Sequence, residues 1–138
     1  MNQRTVICFL VAMIAIMAFS GCQKVDQERV EAKLTVTEAP WSGRTQTQPD
    51  PTVTVYESYP EGTVLYDKEF GGKVSVEKLT DETIVLRFAH SNFVVSNEDG
   101  TINLTATPLD TVTIAHGEEI KVVTQSLDYG IYLTIRFE

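Results

Sequence analysis

The chain has 138 residues and carries 19 acidic against 11 basic side chains, which gives a formal net charge of −8 at pH 7. This length provides one domain with one hydrophobic core, and it leaves no room for a second domain of ordinary size. The acidic balance argues against nucleic acid or anionic lipid as a bound partner, because both require a basic surface.

The beginning of the chain has the order of a secretory signal. A basic start at Arg4 precedes an apolar run over residues 6–19, which is too short for a membrane-spanning helix, and small residues follow it. The sequence AFSGC at residues 18–22 resembles the lipobox of bacterial lipoproteins. Phe19 departs from the Leu, Val or Ile that is usual at its place, but it keeps that place apolar.

The lipobox resemblance implies that residues 1–21 are a signal peptide and that Cys22 becomes the first residue of the mature protein. Its sulfur would carry a diacylglycerol thioether, and its amine often a further acyl chain such as palmitate. The membrane is then a partner only through the lipid on Cys22, on the extracytoplasmic side of a bacterial cell envelope. Gln23, rather than Asp, would permit sorting to the outer membrane of a Gram-negative host.

The mature chain is expected to fold without a disulfide. Cys8 leaves with the signal and Cys22 is consumed by the lipid, so no cysteine pair remains and the hydrophobic core must hold the domain together. Residues 22–29 are polar and are predicted to form a tether between the lipid and the fold. Residues 30–138 are predicted to form a single domain.

Apolar and polar residues alternate with a period of two over most of this domain, which predicts half-buried strands. A first strand is expected over residues 30–37. Residues 38–51 hold three prolines and show no periodicity, so they are predicted to be an irregular segment. Further strand signals recur between turn-forming residues, at 52–57, 63–68, 73–79, 83–89, 93–96, 101–106, 111–115, 118–125 and 129–137.

The strongest hairpin signal is Asp99-Gly100, which separates the apolar runs at residues 93–95 and 102–104. Glycine accepts the positive φ that tight hairpin loops require, so these two runs are predicted to pair. Short strands with one apolar face each must bury those faces against one another. The predicted fold is therefore all-β, an antiparallel two-sheet sandwich, and a small β-barrel is the alternative.

The sequence DYGIY at residues 128–132 resembles the D-x-G-x-Y stretch of immunoglobulin-type domains, in which the tyrosine hydroxyl binds back to a preceding corner. The resemblance implies an Ig-like sandwich. The cysteine pair of that family is missing here, and the stretch opens the last predicted strand instead of the penultimate one.

No residue pattern in the chain indicates catalysis or metal binding, so we expect no enzyme, no metal site and no cofactor. His90 and His116 are the only histidines, and neither belongs to a motif with the spacing of metal ligands. Three acidic pairs could in principle serve glycoside hydrolysis or bind calcium, but they lie in predicted turns where solvated carboxylates are usual. These pairs are Asp81-Glu82, Glu98-Asp99 and Glu118-Glu119.

Aromatic rings are the remaining candidates for ligand contacts, and we single out Trp41 and Tyr59. Trp41 lies in the proline-rich segment, where it would either dock on the sandwich edge, the preferred interpretation, or contact a ligand. The expected function is that of a non-catalytic binding or structural module of the cell envelope, with a protein or glycan partner. The alternatives are an accessory subunit of an envelope complex and a small surface hydrolase.

Overall fold

The computed structural model describes residues 32–138, which form nine strands and no helix. The strands are β1 (Leu34–Ser42), β2 (Thr52–Tyr56), β3 (Val64–Lys68), β4 (Gly72–Leu79), β5 (Thr83–Ala89), β6 (Phe93–Val95), β7 (Thr111–Ala115), β8 (Glu119–Thr124) and β9 (Tyr129–Phe137). Among these residues no helix is long and apolar enough to cross a membrane. The predicted signal peptide, the lipidation site Cys22 and the tether at residues 22–29 lie outside the described residues.

Two antiparallel sheets make up the domain. The larger sheet has the strand order β2-β1-β9-β8-β6, and the smaller sheet has the order β3-β4-β5-β7. In residues 32–138 no strand of one sheet pairs with a strand of the other, so the sheets form a sandwich that does not close into a barrel. The predicted two-sheet sandwich is confirmed. Two antiparallel sheets that face each other are also the architecture of immunoglobulin-type domains.

The core lies between the inner faces of the sheets, where the period-two pattern places the apolar side chains. On β9, Leu133, Ile135 and Phe137 are fully buried, whereas Arg136 on the opposite face is exposed. The other fully buried side chains of this core come from both sheets and include Leu34, Val36, Val74, Val76, Ile84, Leu86, Phe93 and Val122.

The irregular segment begins later than predicted, because β1 continues to Ser42. The whole length of β1 pairs with β9, from Leu34 opposite Phe137 to Ser42 opposite Tyr129. On its other side β1 pairs with β2 only as far as Glu38. Beyond that point β1 is an edge strand on this side, and an edge tolerates Pro40, which has no N–H to donate.

The predicted hairpin around Asp99-Gly100 is wrong, and residues 101–106 form no strand. The turn itself exists: the N–H of Gly100 donates to the carbonyl of Asn97 at 3.0 Å, and Gly100 has a φ of +79°. However, β6 pairs with β8, Phe93 lying opposite Thr124.

The segment after this turn covers the outer face of the larger sheet. Val94 and Val123 pair with each other and are buried, although they point away from the core between the sheets. Tyr132 Oη donates to the carbonyl of Gly100 at 2.7 Å, and Gln125 Nε2 donates to the carbonyl of Ala106 at 2.7 Å. These bonds tie the segment to β9 and to the β8–β9 loop in place of strand pairing.

Candidate functional site

The two ends of the sandwich differ in character. One end holds the residues where the described chain starts and stops: the N–H of Glu138 donates to the carbonyl of Lys33 at 2.8 Å. The other end is formed by the end of β1, the start of β9, the β3–β4 turn and the loops at residues 90–92 and 125–128. We call this second end the aromatic pole.

The aromatic pole is named for Phe70 and Tyr129, whose rings meet across the two sheets. Phe70 lies in the β3–β4 turn of the smaller sheet, and Tyr129 is the first residue of β9 in the larger sheet. The ring centroids are 4.9 Å apart at an interplanar angle of 85°, an edge-to-face arrangement. The two residues nevertheless stay 50 % and 45 % exposed, so each ring presents surface to solvent.

The β3–β4 turn is built to present Phe70. Gly71 and Gly72 have φ angles of +98° and +82°, which residues other than glycine rarely adopt. A Cβ on Gly72 would lie 2.4 Å from the carbonyl oxygen of His90. The hydroxyl of Tyr66 donates to the carbonyl of Phe70. The turn is therefore fixed to the residues beneath it, and the Phe70 ring projects from a rigid base.

Two depressions flank the aromatic pair. The larger, of about 550 Å³, combines apolar side chains with amide, hydroxyl and carboxylate groups. The smaller, of about 230 Å³, is lined mainly by apolar groups and by Lys68. Phe70 and Tyr129 line both. The larger depression is also lined by Asn92, Leu104, Thr124, Gln125, Ser126, Leu127 and Asp128, and the smaller by Pro40, Trp41, Tyr66, Gly130 and Ile131.

Polar groups of the larger depression differ in how fully they are bonded. The backbone N–H of Ile131 donates to Thr124 Oγ1 at 3.1 Å. Asp128 forms an exposed ion pair with Arg44 at 2.7 Å. In the described part of the chain, Oδ1 of Asn92 is buried and has no hydrogen-bond partner. An unpaired buried acceptor of this kind costs stability, but its burial also closes it to a ligand.

The chain adopts an uncommon backbone conformation next to this depression. His90 is the only residue other than glycine with a positive φ, of 51°, in residues 32–138. Positive φ is uncommon outside glycine, although asparagine, aspartate and histidine adopt it more often than other residues do. His90 marks the same end of the sandwich as the aromatic pair, two residues before Asn92.

The smaller depression has an ion pair at its side. Lys68 of β3 contacts Glu38 of β1, so the pair links the two sheets. Burial raises the pKa of the neighbouring Tyr66 to about 12, and the charge of Glu38 adds to the rise. The Tyr66 hydroxyl therefore keeps its proton at neutral pH and acts as a hydrogen-bond donor.

The two aromatic residues singled out from the sequence lie in different places. Trp41 is part of β1, packs against Tyr132 with ring centroids 6.4 Å apart, and borders the smaller depression. Tyr59 lies at the opposite end, where its hydroxyl donates to the carbonyl of Ala32 and its ring meets Phe137 edge to face. Because Tyr59 is buried in the core, its ring is not accessible to a ligand.

The two histidines are not brought together, although the N–H of His116 donates to the backbone carbonyl of Glu82 at 2.8 Å. His116 packs against Phe137 at the end opposite His90. Glu119 forms an ion pair with Arg136, and hydrogen bonds from Thr101 lower the pKa of Asp99 in its turn. No group of three or more residues able to hold a metal ion occurs in the part of the chain that the structure describes.

Sequence reasoning did not single out Phe70, Asn92 or Tyr129. Phe70 carries a signal that could have been used, since a large aromatic residue directly before Gly71-Gly72 lies in a predicted turn, where it has no strand face to occupy. Tyr129 offers no comparable signal, because it belongs to the regular alternation of β9.

Comparisons with protein-family models, with curated proteins and with solved structures found no match for this chain. A fold of this kind supports many unrelated functions.

Proposed function

We propose that this protein is a lipid-anchored lipoprotein of the bacterial cell envelope, and that it is a non-catalytic module which binds its ligand at the aromatic pole. The observation that carries the proposal is the Phe70–Tyr129 pair. Two half-exposed rings are held across separate sheets, beside a depression of about 550 Å³. Concave sites that combine aromatic rings with a few polar groups are typical of ligand binding.

The proposed anchor would turn the aromatic pole away from the membrane. The lipobox resemblance at residues 18–22 supports lipid on Cys22, which lies upstream of β1. The described chain starts at the end opposite the aromatic pole, and β1 runs nine residues towards that pole, roughly 30 Å. A module attached to the membrane before β1 would present Phe70 and Tyr129 outward, which suits the capture of a ligand outside the cell or in the envelope.

An uncharged glycan is the ligand that this chemistry fits best. The faces of aromatic rings can stack on the apolar faces of sugar rings, while amide and carboxylate groups bind hydroxyls. The larger depression offers both kinds of group: Phe70 and Tyr129 as platforms, and Gln125 and Asp128 as hydrogen-bonding groups. The acidic balance of the chain argues against an anionic polysaccharide.

The lining of the larger depression supports binding without catalysis. Glycoside hydrolysis generally uses two carboxyl groups about 5–10 Å apart, one as an acid and one as a nucleophile or base. Asp128 is the one carboxylate among the described residues that line this depression. A hydrolase is therefore the weaker proposal.

A second candidate function is that of an accessory subunit in an envelope complex. Leu104 and Leu127 are exposed large hydrophobic residues at the rim of the same depression, next to Phe70 and Tyr129. Contiguous apolar surface of this kind is characteristic of protein contacts. In this case the aromatic pole would dock against another protein instead of a sugar.

The proposal is tested by affinity electrophoresis of the protein through gels that contain neutral envelope polysaccharides. The wild-type protein should be retarded by one of them, and the double variant Phe70→Ala, Tyr129→Ala should lose at least ten-fold in affinity. Val64→Ala, which truncates an exposed residue on β3, is the matched control and should bind like the wild type. Equal retardation of the double variant and the control would overturn the assignment of the site. The accessory-subunit function would be favoured if the polysaccharides do not retard the protein and a cross-linker placed at Leu127 captures one envelope protein.

A further inference from the structure

The edge of the larger sheet at β2 has an unusual composition. The strand is Thr-Val-Thr-Val-Tyr, with no charged residue, and its first four residues are exposed. Val53 and Val55 are 59 % and 51 % exposed on the outer face. β2 pairs with β1 on one side, and within residues 32–138 no strand pairs with its other side.

An edge of this kind is a template for strand addition. It presents unpaired N–H and carbonyl groups in a row, and natural proteins usually protect such edges with lysine, proline or a bulge. None of these occurs within β2. Thr52 and Thr54 point to the side of the smaller sheet and are still exposed, so β2 projects beyond the cover that this sheet provides.

We propose that β2 is a self-association surface, at which β2 of a second copy of this chain adds antiparallel and extends the larger sheet across both molecules. The strand is self-complementary when a two-fold axis passes beside Thr54. Val53 of each copy then lies opposite Val55 of the other copy, so the outer face has two equivalent valine pairs. Thr54 lies opposite its own equivalent, and Thr52 lies opposite Tyr56. Pairs of β-branched and aromatic residues in these positions stabilise a sheet.

The arrangement of charge supports a second copy as the occupant. Two copies of an acidic chain repel each other, so a contact between them requires a surface where carboxylates do not meet. In the register centred on Thr54, Glu57 lies opposite Pro51 and Asp50 lies opposite Ser58, so no two carboxylates face each other across the pair. Like charges directly opposite would destabilise the sheet.

The contact is expected to be weak in dilute solution. One pair of five-residue strands buries less than the roughly 1,200–2,000 Å² of a stable interface. Covalent trapping is therefore the suitable experiment, because it detects an association that is populated only part of the time.

The register gives a specific cross-linking test on the full chain. In a background with Cys8→Ala and Cys22→Ala, Thr54→Cys places the only thiol beside the proposed axis, where opposing Cβ atoms lie about 4.5–5.5 Å apart. Mild oxidation should then yield a disulfide-linked dimer. Val95→Cys is the matched control, because Val95 is 52 % exposed on β6, the opposite edge of the same sheet. It should yield at least five-fold less dimer.

Two further measurements test the register of the paired strands and whether pairing of the β2 edges causes the cross-link. A mixture of Val53→Cys and Val55→Cys proteins should form the mixed dimer in preference to either homodimer. Adding Val53→Lys and Val55→Lys to Thr54→Cys should abolish the cross-link, since lysine protects edge strands. A Thr54→Cys yield no higher than that of Val95→Cys would overturn the proposal, and so would a disulfide formed with a different protein.

Discussion

Gly130 of β9 lies directly against Thr124 of β8: a Cβ added to Gly130 would stand 2.1 Å from Thr124 Oγ1. The same Cβ would lie 2.9 Å from Nε1 of Trp41. Thr124 Oγ1 also accepts the N–H of Ile131 at 3.1 Å. The close approach of these three residues positions the start of β9, and with it the Tyr129 ring of the aromatic pole.

Gly130→Ala is therefore expected to destabilise the domain by about 1–3 kcal/mol, the usual cost of overpacking a well-packed site. Denaturant unfolding measures the free energy. Gly43→Ala is the matched control, since a Cβ there would meet its nearest atoms at 3.4 and 3.5 Å, and neither glycine has a positive φ. Equal losses in both variants would contradict the close packing beneath the aromatic pole.

The two faces of β9 should respond differently to truncation. Leu133 and Ile135 are fully buried, so replacing either with alanine leaves a cavity and should cost about 2–5 kcal/mol. Thr134→Ala should cost roughly 0.5 kcal/mol or less. Arg136→Ala removes only exposed ion pairs to Glu119 and Glu138, so it should cost much less than either core truncation. Urea unfolding of the four variants checks this asymmetry, and similar losses on both faces would contradict it.

The buried hydroxyl of Tyr66 should make the free energy of unfolding fall at alkaline pH. Burial, with a smaller contribution from Glu38, raises the pKa of Tyr66 from 10.0 to about 12, so the folded protein keeps this proton at a pH where the unfolded chain loses it. The stability that Tyr66 contributes is therefore complete below about pH 10 and is lost as the pH rises towards 12. Denaturant unfolding between pH 9 and 12 should show this fall.

In Tyr66→Phe the fall should be smaller, because the ionising group is gone. At neutral pH the same variant should lose about 0.5–1.5 kcal/mol, since the carbonyl of Phe70 loses its hydrogen-bond donor. A variant that shows the same alkaline loss as the wild type would show that Tyr66 is not the group responsible.

Most of the fold follows from local alternation in the sequence. The pattern places Leu133 and Ile135 inward and Arg136 outward, as the structure does, because a half-buried strand repeats every two residues. The same rule fails at residues 101–106. Ile102 and Leu104 alternate like a strand, but the segment is held by hydrogen bonds from Tyr132 and Gln125, which are distant in sequence.

The candidate site was less accessible to sequence reasoning. Phe70 and Tyr129 are 59 positions apart in the chain, and their contact depends on how the two sheets face each other. Trp41 shows the same dependence. Its proline-rich surroundings suggested irregular structure, yet pairing of β1 with β9 continues past Pro40 because only one side of β1 has a neighbour there.

The proposed lipid on Cys22 would determine both where the module resides and which way the aromatic pole faces. Metabolic labelling with a radioactive fatty acid, in bacteria made to express the protein, tests this lipidation directly. The wild-type protein and the control Cys8→Ala should be labelled and processed. Cys22→Ala should remain an unlabelled precursor. Undiminished labelling and processing of Cys22→Ala would contradict the proposed anchor.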